Sequence, residues 1–321
     1  MAALYRGLAT SERPTLTEPP VIHSYLKDIS VLSSEKVQKA REYKLTAFYL
    51  AVETETNAAS DAEQPPQPPK PPVLGRTVRF SGDNLQALKQ LASDPTGAGW
   101  VSTFEALSAF LCQWNYRIRL QHFMSQGTSE KEAAGKIVRG FWASINMRGP
   151  TRLNLSPRYL PNAVYPPYAS FPHELLANEP LWKVAEALHG LIRGFDTHKI
   201  KMSTRWIAAQ PNKSRIRVDF SFFDGNFTVS QWAAFSMYVG VDFDADEDGK
   251  PVPPALVGQP YTEISRVDGL GMFQSTEEEF YRTMENGGDA KKPCAFDVKL
   301  TFSEPLWEIL DQEEEFWRYC S

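Results

Sequence analysis

A chain of 321 residues, 42% hydrophobic and 12% aromatic, is long and apolar enough to bury a large core. Its formal net charge of −5 excludes the basic field that draws a protein to nucleic acid or to an anionic membrane. No apolar run approaches the roughly 18 residues that cross a bilayer, and the opening stretch Met1–Gly7 lacks the basic start and apolar centre of a secretion signal.

The three cysteines, Cys112, Cys294 and Cys320, are odd in number and far apart, which fits neither a disulfide framework nor the close-spaced pairs of a zinc site. Cys112 falls on an apolar helix face and reads as a small core residue. The sequons at Asn212 and Asn226 matter only in a secreted chain. Together these features predict a reduced, cytoplasmic protein.

Along the chain, the first break in composition is at residues 57–75, where six prolines fill nine positions from Gln64 to Pro72. Proline lacks a backbone donor and fixes φ, so this stretch predicts an extended connector between a short N-terminal piece and a larger domain. A proline-rich ligand for a partner's aromatic groove is the alternative. Thr77–Phe80 then alternates as a strand, and Asn84–Ala92 puts Leu85, Leu88, Leu91 and Ala92 on one helical face. Ser102 and Glu105 have the spacing of a capping box, in which serine accepts from the third helical N–H and glutamate reaches back. Behind them Phe104, Leu107, Phe110, Leu111, Trp114 and Ile118 recur at helical spacing, a core stripe rather than a cofactor box.

Ile137–Met147 reads as a strand, and Glu179–Ile192 as a helix facing inward with Leu181, Val184, Ala185, Leu188 and Ile192. Arg215–Phe222 alternates and predicts a half-buried strand. Further strands are expected at 227–230 and 295–302, and Glu304–Tyr319 predicts a closing helix. Strands and helices mixed in this way, without internal repeats, predict an α+β layered fold.

Several stretches carry a resemblance. Met1–Gly7 is similar to the end of a "WA.l.RG" helix; Val78–Ser81 with Leu85, Leu88 and Lys89 to "f.fs...l..LK"; and Val101–Phe110 to "vSsfdaLsAllw". Ile145–Arg148 and Tyr159–Val164 follow as "vd.R.R" and "YlGNav", and Val229–Trp232 with Tyr238–Phe243 as "tSW…y.vDFG". Gly249–Pro251 and Asp268–Leu270 continue the series. In this order, the stretches resemble the C-terminal half of the fungal-type BAHD acyl-CoA-dependent acyltransferases.

The resemblance implies a chloramphenicol acetyltransferase-like fold, with two α/β lobes around a tunnel. Residues 1–56 would be a remnant of a truncated first lobe, 57–75 the crossover and 76–321 the second lobe. It implies O- or N-acyl transfer from acyl-CoA, as co-substrate, to a small secondary-metabolite acceptor, with no permanently bound cofactor. By position Trp232 and Ser230 are oxyanion or acceptor contacts, Asn162 lines the tunnel, and Arg148, Arg152 and Arg158 are candidates for CoA phosphates.

The family's general base lies in an HxxxD motif, which a neutral hydroxyl acceptor needs at pH 7. None of the five histidines (His23, His122, His173, His189 and His198) has aspartate four residues on, and by position the motif would fall upstream of Met1. His198 and His173 are the candidate substitute bases. The family's DFG-type loop is Asp242-Phe243-Asp244 here, and its "YlGN" has Pro161 in place of glycine. Asp244, Asp246 and Asp248 alternate like the start of an EF-hand, but Ala255 stands where the loop requires a glutamate, so no metal site is expected. Two classes of function follow. One is an acyltransferase, with the base supplied by a replacement histidine, a complementing acyltransferase chain or a longer form of the protein. The other is a non-catalytic or repurposed lobe that binds a hydrophobic metabolite, a partner subunit or, as a homo-oligomer, itself.

Overall fold

The computed structural model describes residues 32–52, 71–155, 159, 162–220, 225–235, 238, 244–258, 262–284 and 293–321. The first half comprises α1 (Ser34–Arg41), β1 (Phe48–Leu50), β2 (Val73–Phe80), α2 (Gly82–Leu91), α3 (Thr103–Ser125) and α4 (Glu130–Lys136), then β3 (Gly140–Ala143) and β4 (Ile145–Asn146). There follow β5 (Val164–Tyr165), β6 (Tyr168–Ser170), α5 (His173–Ala177), α6 (Leu181–Arg193), α7 (Thr197–Ala209), β7 (Ile216–Val218) and β8 (Phe227–Gln231). The last are β9 (Asp244–Ala245), β10 (Pro251–Val252), β11 (Leu270–Ser275), α8 (Glu278–Met284), β12 (Phe296–Ser303), α9 (Glu304–Leu310) and α10 (Glu314–Trp317).

The organising element is a mixed sheet of six strands in the order β2-β12-β11-β8-β3-β6. β11, β8 and β3 run parallel, and β2, β12 and β6 join antiparallel to their neighbours. Long helix α3 lies on one face, packed against α2, α6 and α9. Its capping box forms as the spacing predicts: Glu105 N donates to Ser102 Oγ at 3.2 Å, and Glu105 Oε2 accepts from Ser102 N at 2.7 Å. The stripe behind it is buried apart from half-buried Phe104, with Phe110 stacked on Phe316 at 5.5 Å and edge-on to Phe80 at 6.4 Å. Each such side chain contributes about 1.5–3 kcal/mol by leaving water. The α+β layered architecture expected from the pattern is the one observed, and no helix among the described residues is long and apolar enough to cross a membrane.

Side chains alternate across a strand, and paired residues share a face, so the register sorts the sheet into two faces. Phe227, Val229, Phe273, Val298, Leu300, Val78 and Phe80 share the α3 side, where Phe273 meets Phe104 at 5.5 Å. The opposite face carries Thr228, Ser230, Leu270, Met272, Gln274, Asp297, Lys299 and Thr301, most of them polar. Thr228, Gln274, Asp297, Lys299 and Thr301 are nonetheless buried.

The structure moves several expected boundaries. β2 begins at Val73, inside the stretch expected to be linker; it is an edge strand, the one place a preceding proline run is tolerated, and Pro72 O accepts from Glu304 N at 2.9 Å. The single strand expected over Ile137–Met147 is two, β3 and β4, and Ile137 is the extended C-cap of α4. Pro180 occupies the N-cap of α6, so that helix starts at Leu181 rather than Glu179. Of the strand expected at Arg215–Phe222, only Ile216–Val218 pairs, with β1, while residues 221–222 lie outside the described residues. The closing helix divides into α9 and α10 because Trp317 Nε1 turns back to donate to Leu310 O at 2.8 Å, capping α9.

Candidate functional site

β8 delivers the two resemblance-derived oxyanion residues to one point. It is flanked by parallel strands on both sides, and its C-terminal end carries Ser230, paired with Met272 on the polar face. The chain then turns: Trp232 N donates to Phe273 O at 2.8 Å, and Phe235 N donates to Trp232 O at 2.9 Å. This turn brings the Trp232 indole back over its own strand, where Nε1 donates to Ser230 Oγ at 3.0 Å. Both side chains are half-buried.

An indole has one N–H, and here it is spent on the serine oxygen. The Ser230 hydroxyl therefore accepts from Trp232 and keeps its own proton to donate elsewhere. The single indole N–H is thus directed at Ser230 rather than at open space. Along the same row, Ser230 is followed by Met272 on β11 and by Lys299 on β12, which is 6% exposed. Sequence reasoning missed Lys299, although the period-two pattern Asp297, Lys299, Thr301 marks it as lying on the face with Ser230.

The other expected residues lie elsewhere. Arg148 and Asn162 flank the β4–β5 pair. Arg148 Nε donates to Tyr159 O at 2.9 Å and Nη1 to Asn146 Oδ1 at 3.2 Å, while Asn162 Oδ1 accepts from Val164 N at 3.1 Å. These contacts shape the loop. Arg152 likewise donates to the Asn146 and Ile192 carbonyls, and burial, then the charge of Arg193, lowers its pKa. Arg158 and Asp242–Phe243 lie outside the described residues.

Neither substitute base is joined to the Ser230–Trp232 pair. His198 is exposed at the start of α7 and lines a groove of about 520 Å³ with Lys36, Lys39 and Tyr43 beside α1. His173 pins α5 in place: Nδ1 is 2.6 Å from the Tyr116 hydroxyl and Nε2 is 3.4 Å from Glu130. The histidine in the most organised setting is His189, with Nδ1 3.2 Å from Glu105 Oε2. Glu105 is fully buried and also accepts from Arg193 Nε at 3.1 Å. Burial alone would raise its pKa, but the donors from Ser102, His189 and Arg193 outweigh that and hold the carboxyl below its ordinary range. The acids around Asp246 serve a turn, in which Asp246 Oδ1 accepts from Lys250 N at 2.7 Å. Among the described residues no group of three or more His, Cys, Asp or Glu side chains is placed to hold a metal ion.

Comparisons with known proteins identify the family. A model of the Transferase family matches residues 45–259. O-acyltransferase pigD of Monascus ruber is 28% identical over 187 residues, covering 57% of this chain and 37% of that protein. Eremophilane O-acetyltransferase ORF8 of Penicillium roqueforti is 30% identical over 108 residues, 34% of this chain and 21% of that one. Among solved structures, F. graminearum TRI101 complexed with Coenzyme A and Deoxynivalenol superposes with a TM-score of 0.58 at 19% identity, covering 93% of this chain and 64% of that chain. The chain thus spans well under half the length of these curated relatives.

Proposed function

The chain belongs to the Transferase family of BAHD-type acyltransferases, and we propose that it forms the second lobe of an acyl-CoA-dependent enzyme that acylates a hydroxyl or amine of a small secondary metabolite. The observation that carries this reading is the Trp232–Ser230 hydrogen bond at 3.0 Å on the polar face of the sheet. Attack of a hydroxyl on a thioester places negative charge on the carbonyl oxygen. A pre-oriented donor aimed at that oxygen is worth about 3–4 kcal/mol of barrier. Ser230 is that donor in this reading, and Trp232 fixes its rotamer. In this reading β2, which starts at Val73, opens the lobe, and Arg148 and Asn162 lie near the CoA path. CoA enters as co-substrate; it is named in the TRI101 complex, and curated relatives are named O-acyltransferases.

The test is calorimetric titration of the chain with acetyl-CoA and a longer acyl-CoA, alongside Trp232→Ala. Saturable binding, weakened by the substitution, supports the reading. A folded protein that binds neither ligand at millimolar concentration overturns it.

The second reading is an acyltransferase-like binding protein without turnover. It is favoured by the partners of His173 and His189, which are Tyr116, Glu130 and Glu105 rather than the Ser230–Trp232 pair. CoA binding without release of free thiol, in the presence of acceptor alcohols, would favour this second reading.

A further inference from the structure

A second site lies away from Ser230, where α6 meets the loop leading into α3. A cavity of about 340 Å³ opens there, lined by Asp94, Trp100, Trp182, Glu186 and His189 among others. That volume suits a ligand of one or two rings. Gly99 helps shape one wall, with φ at +74°, a conformation that L side chains rarely adopt.

The chemistry of the wall selects the ligand. His189 is held from behind by Glu105, and a buried ionised carboxylate can only accept, so Nδ1 carries the proton that is donated to it. In the neutral ring Nε2 is left as an acceptor, on an imidazole that faces the cavity. Trp100 stands edge-on to that imidazole at 5.2 Å and is 60% exposed. Each indole already attracts a protein cation: Arg193 lies 5.1 Å from the Trp100 ring and Lys183 lies 5.7 Å from Trp182. Two carboxylates complete the wall. Asp94 commits Oδ1 to Thr96, while Glu186 makes no hydrogen bond or ion pair with the described residues. Indole faces, carboxylates and an imidazole acceptor all favour positive charge carrying N–H donors.

We propose that this cavity binds a small organic cation, an alkyl- or arylalkylammonium, seated against Trp100 and Trp182, paired with Glu186 and donating N–H to His189 Nε2. Neither Ser230 nor Trp232 lines this cavity.

The experiment titrates the chain with benzylamine, benzyl alcohol and benzoate, which share a ring and differ in charge, following tryptophan emission and heat. Benzylamine is expected to saturate and to bind at least tenfold more tightly than benzyl alcohol, with benzoate silent. Glu186→Gln, at an exposed position, and Trp182→Leu are each expected to weaken benzylamine several-fold while far-UV circular dichroism, the urea midpoint and acetyl-CoA titrations stay as in the parent. The proposal is overturned if benzoate binds as well as benzylamine, if Glu186→Gln leaves benzylamine unchanged, or if the folded parent fails to saturate with benzylamine at millimolar concentration.

Discussion

Arg119, in the middle of α3, grips Asp268 through two contacts, Nη2 to Oδ1 at 2.7 Å and Nη1 to Oδ2 at 3.3 Å. Its Nε also donates to Asn115 Oδ1, and Asn115 Nδ2 donates to Gly225 O at 2.9 Å. One helix thereby ties down the turns entering both β8 and β11, the strands whose far ends carry Ser230 and hold Trp232. Gly269 completes the turn with φ at +88°, and a Cβ there would meet the Asn226 carbonyl. The ion pair is largely enclosed, with side chains 11% and 19% exposed.

Removing one partner of such a pair leaves the other charge enclosed and costs about 3 kcal/mol. Asp268→Asn is therefore expected to lower the unfolding free energy by that amount, read as a lower urea midpoint at unchanged slope. A midpoint within error of the parent would show that the clamp is slack.

The cysteines offer a probe of the core. Cys112 is buried in α3, and burial pushes its thiol up to about 12; the Cys320 thiol is pushed up to about 12 for the same reason. The thiolate is the reactive species, so neither thiol should react with a disulfide reagent at neutral pH while the protein is folded. Cys112 labelling is expected to track global unfolding in denaturant, while partly exposed Cys294 reacts first. Labelling of Cys112 at the rate of Cys294 in native buffer would contradict the packing around α3.

Much of this architecture was legible in the sequence. The α3 stripe, its capping box, the apolar face of α6 and the strands at 227–230 and 295–302 all follow from periodicity and cap chemistry, which are local. The central strand β11 was not legible as a strand, because Leu270–Ser275 is buried on both faces and shows no alternation. Nor was α7, whose apolar positions are diluted by Lys199, Lys201 and Arg205. At the candidate site, Ser230 and Trp232 were legible only through the family resemblance, and their hydrogen bond depends on the turn after β8, which no periodicity encodes. Glu105 was read as a cap. Its second duty, holding His189 and Arg193 from a helix distant in sequence, is a tertiary fact.

That second duty gives a pH dependence. Glu105 has a folded-state pKa below its ordinary value of 4.5, so folding favours its ionised form. Its contribution is fully present above the ordinary value and is lost as pH falls through the folded value. Glu105→Gln removes the charge facing Arg193 and His189 and is expected to cost about 3 kcal/mol at neutral pH. The gap between parent and variant in urea midpoint should narrow as pH drops below 4.5. A gap that is constant down to about pH 3 would mean that the carboxylate contributes by shape alone.

The hydrogen bond at the end of β8 can be tested without any assumption about substrate. With the Trp232 indole N–H donating to Ser230 Oγ at 3.0 Å, that proton should resonate downfield and exchange slowly with solvent. Ser230→Ala removes the acceptor and leaves the indole N–H unpaired in a half-buried place, which costs roughly 1 kcal/mol and should speed its exchange about fivefold or more. Trp232→Phe makes the complementary change, keeping a ring but freeing the serine hydroxyl to turn. If serine is the outward donor and tryptophan its positioner, Ser230→Ala should weaken acyl-CoA turnover in a reconstituted enzyme by about a hundredfold, within the range for one oxyanion donor. Trp232→Phe should then cost less, and the double variant no more than Ser230→Ala alone, because the indole acts only through the hydroxyl. Additive losses would instead assign the indole a contact of its own with the reacting thioester.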